Sequence, residues 1–216
     1  MSRVDNEIIF KHLTWRYACK KFDPTKKIRE ADWNILAETL RHAASSYGLQ
    51  PWKFIVVQNP ELRKELRNLS WGQSPVTDAS HLIVLTYKEK MDEEHITRHI
   101  NNTAKVQGSD PKNLEGYKNM MIGDLVKGPR SQIINWWAQR QCYIAMGSFL
   151  TTASLMEIDA LPMEGLDPAG YDKALGLEGT GYKTVAAIAC GYRADDDKYQ
   201  HAKKVRFDMN EVITYK

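Results

Sequence analysis

The stretch SQIINWWAQRQCYIAMGSFLTTASLME, residues 131–157, decides the architecture. Read at 3.6 residues per turn, it is a long helix with apolar residues on nearly every side. Such a helix has no face to give to solvent, so it is either central to the fold or shared with a second subunit.

Elements of both kinds flank it. Downstream, IDALPMEG (158–165) reads as a short strand ending in a turn, and YKTVAAIACGYR (182–193) as a strong strand. Upstream, Ile8, Ile9 and Leu13 stand at helical spacing, while RYACKKF (16–22) changes period and reads as extended chain. READWNILAETLRHAA (29–44) is an amphipathic helix with Trp33, Leu36, Ala37 and Leu40 on one stripe. KFIVVQ (53–58) is a strand behind Pro51, PELRKELRNL (60–69) a helix opened by Pro60, and SHLIVLTYK (80–88) a buried strand. Residues 91–127, rich in charge, Gly and Met, suit less regular helices that cover a site. The order predicts an α+β fold in one domain over 1–216, a sheet packed against many helices. The tail from about 195 begins charged and ends in the alternating EVITY. It has no home in a compact monomer, which suggests an arm reaching a second subunit.

Composition narrows the class. The chain has 216 residues, long enough for a substantial core, with 43% hydrophobic and 26% charged residues. A net charge of +3 does not by itself imply nucleic acid. Six tryptophans and ten tyrosines need buried surface, for which a dimer interface is one place. Three scattered cysteines, Cys19, Cys142 and Cys190, form no CxxC or Cys/His metal spacing. No apolar run approaches the roughly 18 residues of a membrane span. A reducing cytoplasm of bacterial type is the expected compartment.

Three segments carry candidate chemistry. In extended chain, Arg16, Ala18 and Lys20 share one face, and Lys204 and Arg206 do the same across Val205. Cations so placed suit a phosphate; equally, they suit a solvated sheet edge. HAASSYGLQPWKFIVVQ (42–58) gathers Ser45, Ser46, Gly48 and Gln50 at one helix-to-strand junction, more polar and turn chemistry than a loop requires, although a helix stop before a strand would also use it. In LPMEG (161–165), Pro162 can lie flat against a ring, and the amides near Glu164 and Gly165 can donate to one; the plain alternative is a turn. Gln141, if buried, needs a partner; Gln73 lies in the loop WGQSP; His81 reads as structural. No Ser-His-Asp order, paired carboxylates, Walker loop or GxGxxG is present.

Taken together, RYACKKFD (16–23), SSYGLQPWKFIV (45–56), DASHLIVL (78–85), LPMEG and KKVR (203–206) resemble the nitroreductase family over nearly the whole chain, closest to its oxygen-insensitive NAD(P)H nitroreductase and dihydropteridine reductase branch. The resemblance implies a homodimer with FMN at each of two interface sites. It also implies a mixed sheet whose C-terminal strand comes from the partner, residues 195–216 being the arm. Arg16, Lys204 and Arg206 match the positions that hold the FMN phosphate, with Tyr17 and Ala18 as backbone neighbours, and Lys20 matches the lysine near the pyrimidine edge. Pro162, Met163, Glu164 and Gly165 match the segment along the ring, and Ser45, Ser46 and Gln141 match positions supplied by the second chain.

The implied activity is two-electron, ping-pong hydride transfer from NAD(P)H to a nitroaromatic, a quinone or a similar acceptor. Lys20 tunes the flavin, and no side chain is required as acid or base. Tyr47 stacks on or donates to the substrate, or merely narrows the pocket, while Met120 and Met121 line the entrance. The chain departs from the family pattern at Gly48, Tyr47 and Ala18, and in WGQSP, where Gly72 and Pro75 replace flavin-contacting residues and Gln73 is the candidate substitute. Other readings are a family member with a pterin, enone or halogenated-phenol acceptor, a flavin-storage protein, and a nucleic-acid module using HAKKVR.

Overall fold

The computed structural model describes residues 3–216. In chain order the elements are α1 (Asn6–Trp15), α2 (Glu30–Arg41), β1 (Trp52–Val57), α3 (Pro60–Asn68), α4 (Pro75–Asp78), β2 (His81–Lys88), α5 (Glu93–Gln107), α6 (Glu115–Ile122), α7 (Ile134–Leu155), β3 (Asp159–Met163), α8 (Pro168–Ala174), β4 (Tyr182–Gly191) and α9 (Met209–Val212). Local chemistry sets several boundaries. Asn59 caps α3 ahead of Pro60, Asp92 caps α5, and left-handed Gly108 ends α5.

The sheet has the order β1-β2-β4-β3, and every pairing is antiparallel. The mixed sheet implied by the resemblance is therefore not formed within one chain among the described residues. The one parallel pairing is an isolated bridge from Ala18 to Ala160. β2 and β4 are central and buried on both faces, which is why they read as unbroken apolar runs. Ile83 and Leu85 join a core with Leu36, Leu40, Ile96, Cys142 and Phe149. Leu82 and Val84 point the other way and pack with Leu66, Tyr171, Ala187 and Ala189. α7 thus lies at the centre of the first core, as its composition requires. Trp136 and Ile144 on its other side remain exposed.

Both ends of the chain expose apolar side chains. α1 turns Ile8, Ile9, Phe10 and Leu13 outward and buries His12, whose carbonyl accepts the Ser154 hydroxyl of α7 at 2.6 Å. EVITY is not a strand in this chain. Residues 209–212 form α9, whose start is closed by a capping box between Asp208 and Glu211, and Ile213 onward is exposed. A strand needs a neighbour for its backbone groups, and the tail meets none here.

Candidate functional site

The Ala18–Ala160 bridge lays residues 16–20 beside β3, so the two ends of the chain and the LPMEG segment come to one edge of the sheet. Lys204 donates from Nζ to the carbonyl of Leu13 at 2.7 Å and also to that of Arg16. This brings Arg16, Lys204 and Arg206 together. Burial lowers the pKa of Arg16, helped by the charge of Arg206; burial likewise lowers that of Lys204, helped by Arg16 and Arg206. No carboxylate offsets the three charges among the described residues. A cluster of like charges with spare donors is a place for an anion with several oxygens, such as a phosphate.

What holds this strip in place is Asp197, a residue the sequence reading passed over. Its carboxylate is 2% exposed and accepts the Tyr17 hydroxyl (2.9 Å) and the N–H groups of Lys20 (3.0 Å), Lys21 (3.2 Å) and Tyr199 (3.1 Å). Burial pushes its pKa up, but the bonds from Tyr199, Tyr17, Lys20 and Lys21 outweigh that and hold it below the ordinary carboxylate value. Arg193 completes the clasp: its guanidinium forks onto buried Asp159 and lies over the rings of Trp15 and Tyr17, at 4.3 and 4.7 Å from their centroids. Tyr17 therefore spends its side chain on structure. Cys19 is buried beside it, its thiol pushed up to about 12 by burial first, which keeps it protonated.

At the C-terminal end of β3, Pro162 is half-buried, Met163 is in the core and Glu164 is exposed, accepting the Tyr143 hydroxyl of α7. The amide of Gly165 meets no protein acceptor among the described residues, and its carbonyl takes the Gln73 side-chain amide at 2.9 Å. A Cβ on Gly165 would stand 2.6 Å from Trp71 Cζ3, so any larger residue there displaces the indole from its present place. Trp71 is 82% exposed, with its backbone in the left-handed region at φ 55°. Among the described residues the non-glycine residues with positive φ are Tyr47, Gln50, Trp71 and Glu157, so three of the four lie in the SSYGLQP and WGQSP loops. Strain of this kind collects where a loop is held for a purpose other than its own stability.

The second group of candidates lies elsewhere on the molecule. Gln141 is buried and uses both ends of its amide within the chain, accepting Ser46 N–H at 2.8 Å and donating to Trp137 O at 2.8 Å. Ser45 Oγ accepts Gln50 N–H. Tyr47 donates its hydroxyl to Asp124 at 2.8 Å, and Arg130 donates to the same carboxylate oxygen. That bond to Asp124 is the first cause raising the Tyr47 pKa, followed by burial. Met120 is exposed, whereas Met121 is fully buried in the core. Lys20 is exposed. The chain thus brings Arg16, Ala18, Lys20, Gln73, Pro162, Glu164, Gly165, Lys204 and Arg206 to one edge, while Ser45, Ser46, Tyr47 and Gln141 form a separate group around α7.

A family model described as the nitroreductase family matches residues 13–192. A Bacillus subtilis protein provisionally named NAD(P)H nitroreductase YfkO is 34% identical over 215 residues, covering 93% of this chain and 94% of that protein. A Staphylococcus saprophyticus protein with a similar provisional name, SSP0379, is 31% identical over 221 residues, covering 97% of each. Among solved structures, an Exiguobacterium sibiricum nitroreductase homologue in complex with FMN superposes with a TM-score of 0.79 at 20% identity, covering 100% of this chain and 99% of that one. The gut-bacterial enone reductase CLA-ER gives 0.77 at 21% identity, covering 99% of each chain.

Proposed function

The chain belongs to the nitroreductase family, and from that premise we propose that it is an FMN-dependent NAD(P)H oxidoreductase acting on nitroaromatic, quinone or similar acceptors. The observation that carries the reading is the gathering of Arg16, Lys204 and Arg206, without a counter-charge, beside a β3 end whose Gly165 amide is unspent. These residues fit FMN. The three cations would hold its phosphate, and Pro162, Met163, Glu164 and Gly165 would lie along its ring. When bound, FMN supplies two-electron hydride chemistry between NAD(P)H and the acceptor.

The chain's own residues do the rest. Lys20 would place a positive charge at the pyrimidine edge and favour the form of the ring that carries negative charge there. The Gly165 N–H is a neutral donor on a segment that Gln73 holds by its carbonyl and Trp71 packs against. Trp71 offers an exposed aromatic face beside that segment. Donor and acceptor use the same space in turn, and no side-chain acid or base is assigned.

A homodimer completes the reading. β1 is an edge strand, and a cavity of about 590 Å³ lined by Trp33, Phe54 and His99 runs beside it. The tail meanwhile exposes Val205, Phe207, Val212, Ile213 and Tyr215. An arm of one protomer laid on the β1 edge of its partner would bury both and supply the missing parallel strand. In such a dimer Ser45, Ser46 and Gln141 approach the flavin of the neighbouring subunit, with Gln141 acting by holding the Ser46 backbone. Among the described residues no helix is long and apolar enough to cross a membrane; the free Cys19, Cys142 and Cys190 are what support a reducing cytoplasm.

The test is the visible spectrum of the purified dimer, its bleaching by NADH or NADPH, and its recovery on adding a nitroaromatic or a quinone. Lys204→Met and Arg206→Ala are each expected to weaken FMN binding about tenfold or more, the loss of a charge-assisted contact. A protein that stays colourless in excess FMN overturns the proposal. A coloured protein that bleaches but sustains no turnover would be a flavin store.

A further inference from the structure

A second group of cations lies well away from the first. A cavity of about 510 Å³ opens where β1 ends and β2 begins, with β2 and β4 between it and the β3 edge. Lys27, Arg63, Lys64 and His81 line it, and no acidic residue does.

Arg63 is 8% exposed and has no ion pair among the described residues. Its Nε donates to Val76 O and its Nη2 to Ala79 O, each at 2.7 Å, and Nη1 reaches only to 3.5 Å from Ser80 O. All three acceptors are neutral carbonyls. A buried guanidinium without a counter-ion is a costly arrangement, and an anion nearby would offset it. Asp78, which acts on Arg63 only from a distance, accepts the Thr77 hydroxyl and does not line the cavity.

The neighbours add donors. Neither Lys27 Nζ nor the Gln58 side-chain amide has a partner among the described residues, whereas Lys64 is shared with exposed Glu61 at 2.8 Å. His81 stacks on Trp33 at 4.1 Å between centroids and 10° between planes. Its Nδ1 is 3.0 Å from Ser80 Oγ, which already accepts the Ile28 N–H. With the Ser80 hydroxyl donating to Nδ1, the tautomer that serves an anion carries its ring proton on Nε2. Burial first, then Arg63 and Lys27, push the His81 pKa down to about 4, so the ring is neutral near pH 7.

We propose that this cavity is a phosphate-binding site separate from the Arg16–Lys204–Arg206 cluster, with Lys27 and Arg63 supplying charge and Gln58 and His81 supplying neutral donors. Its volume of about 510 Å³ lies in the range of small-molecule sites, with room for inorganic phosphate or for a small phosphomonoester.

The experiment titrates the full-length protein with inorganic phosphate and, separately, with AMP, following tryptophan emission and the melting temperature. Trp33→Phe identifies the emission change, because Trp33 stacks on His81. Saturable responses are expected in the wild type and in Arg16→Ala, with affinity about tenfold lower or worse in Lys27→Glu, the loss of one charge-assisted contact. Lys27 is exposed and the new carboxylate would face Arg63, so Lys27→Glu without phosphate should melt no lower than the wild type. AMP binding tighter than phosphate would assign a nucleotide to the site; equal or weaker binding would assign the free ion. The proposal falls if phosphate does not saturate, if Lys27→Glu titrates like the wild type, or if Arg16→Ala abolishes the response.

Discussion

Replacing Asp197 with Ala tests whether a single carboxylate joins the two ends of the chain into one site. Four N–H and O–H donors converge on it at 2.9 to 3.2 Å, and the Cys19 thiol joins them at 3.7 Å. A buried donor stripped of its acceptor costs about 1–3 kcal/mol. Lys20, Lys21 and Tyr199 are exposed enough to recruit water, which leaves the equivalent of one or two full losses, about 2–4 kcal/mol. For a chain of this size that lowers Tm by about 5–15 °C. Asp197→Asn keeps the volume and one acceptor but loses the charge, and should fall about 1–2 kcal/mol short of the wild type. The same loss frees residues 17–21 from the tail, so FMN affinity should drop in Asp197→Ala while turnover per bound flavin holds. The assay is thermal melting beside FMN titration, with kcat normalised to bound flavin. The pH dependence has a defined sign. The folded pKa lies below the ordinary value of about 3.9, so the stabilisation is complete above that value and lost as pH falls through the folded one. If Asp197→Ala melted within about 2 °C of the wild type and bound FMN equally well, the clasp would have no energetic content.

Three further outcomes follow from the geometry. Lys20→Ala should lower the reduction potential of the bound flavin in a dye-equilibrated titration without moving Tm, since Lys20 is exposed; an unchanged potential removes its tuning role. Trp71→Ala should alter stability by no more than about 0.5 kcal/mol yet raise KM for an aromatic acceptor several-fold; an unchanged KM would make the indole a bystander. His81, held neutral with a pKa of about 4 against an unfolded value near 6.5, takes up a proton on unfolding between those values. Stability should therefore decline as pH falls from 6.5 toward 4, and the slope should shrink in His81→Gln when denaturant melts are compared.

The central strands and α7 were legible because burial on two faces leaves an unbroken apolar signature that no surface element imitates. The cations at Arg16, Lys204 and Arg206 were legible because alternate residues of extended chain share a face. Asp197 was not, for it closes an acidic run that reads as solvated, and only the folded tail shows that one of its carboxylates is buried. Trp71 escaped because its importance lies in a neighbour nearly a hundred residues away. EVITY is unpaired in one chain because alternation encodes a strand without saying which chain will pair with it. Met121 next to Met120 shows the same limit: adjacent helical positions differ by about 100° in direction, so one faces the core and the other solvent.

The fit between Trp71 and Gly165 ties two distant codons together. A methyl gained at 165 displaces the ring at 71 unless that ring has been trimmed first, so the order of substitutions matters even though each position alone looks free to drift. Gly165→Ala should damage the wild type and be tolerated in Trp71→Ala, a dependence that a survey of either site in isolation would miss.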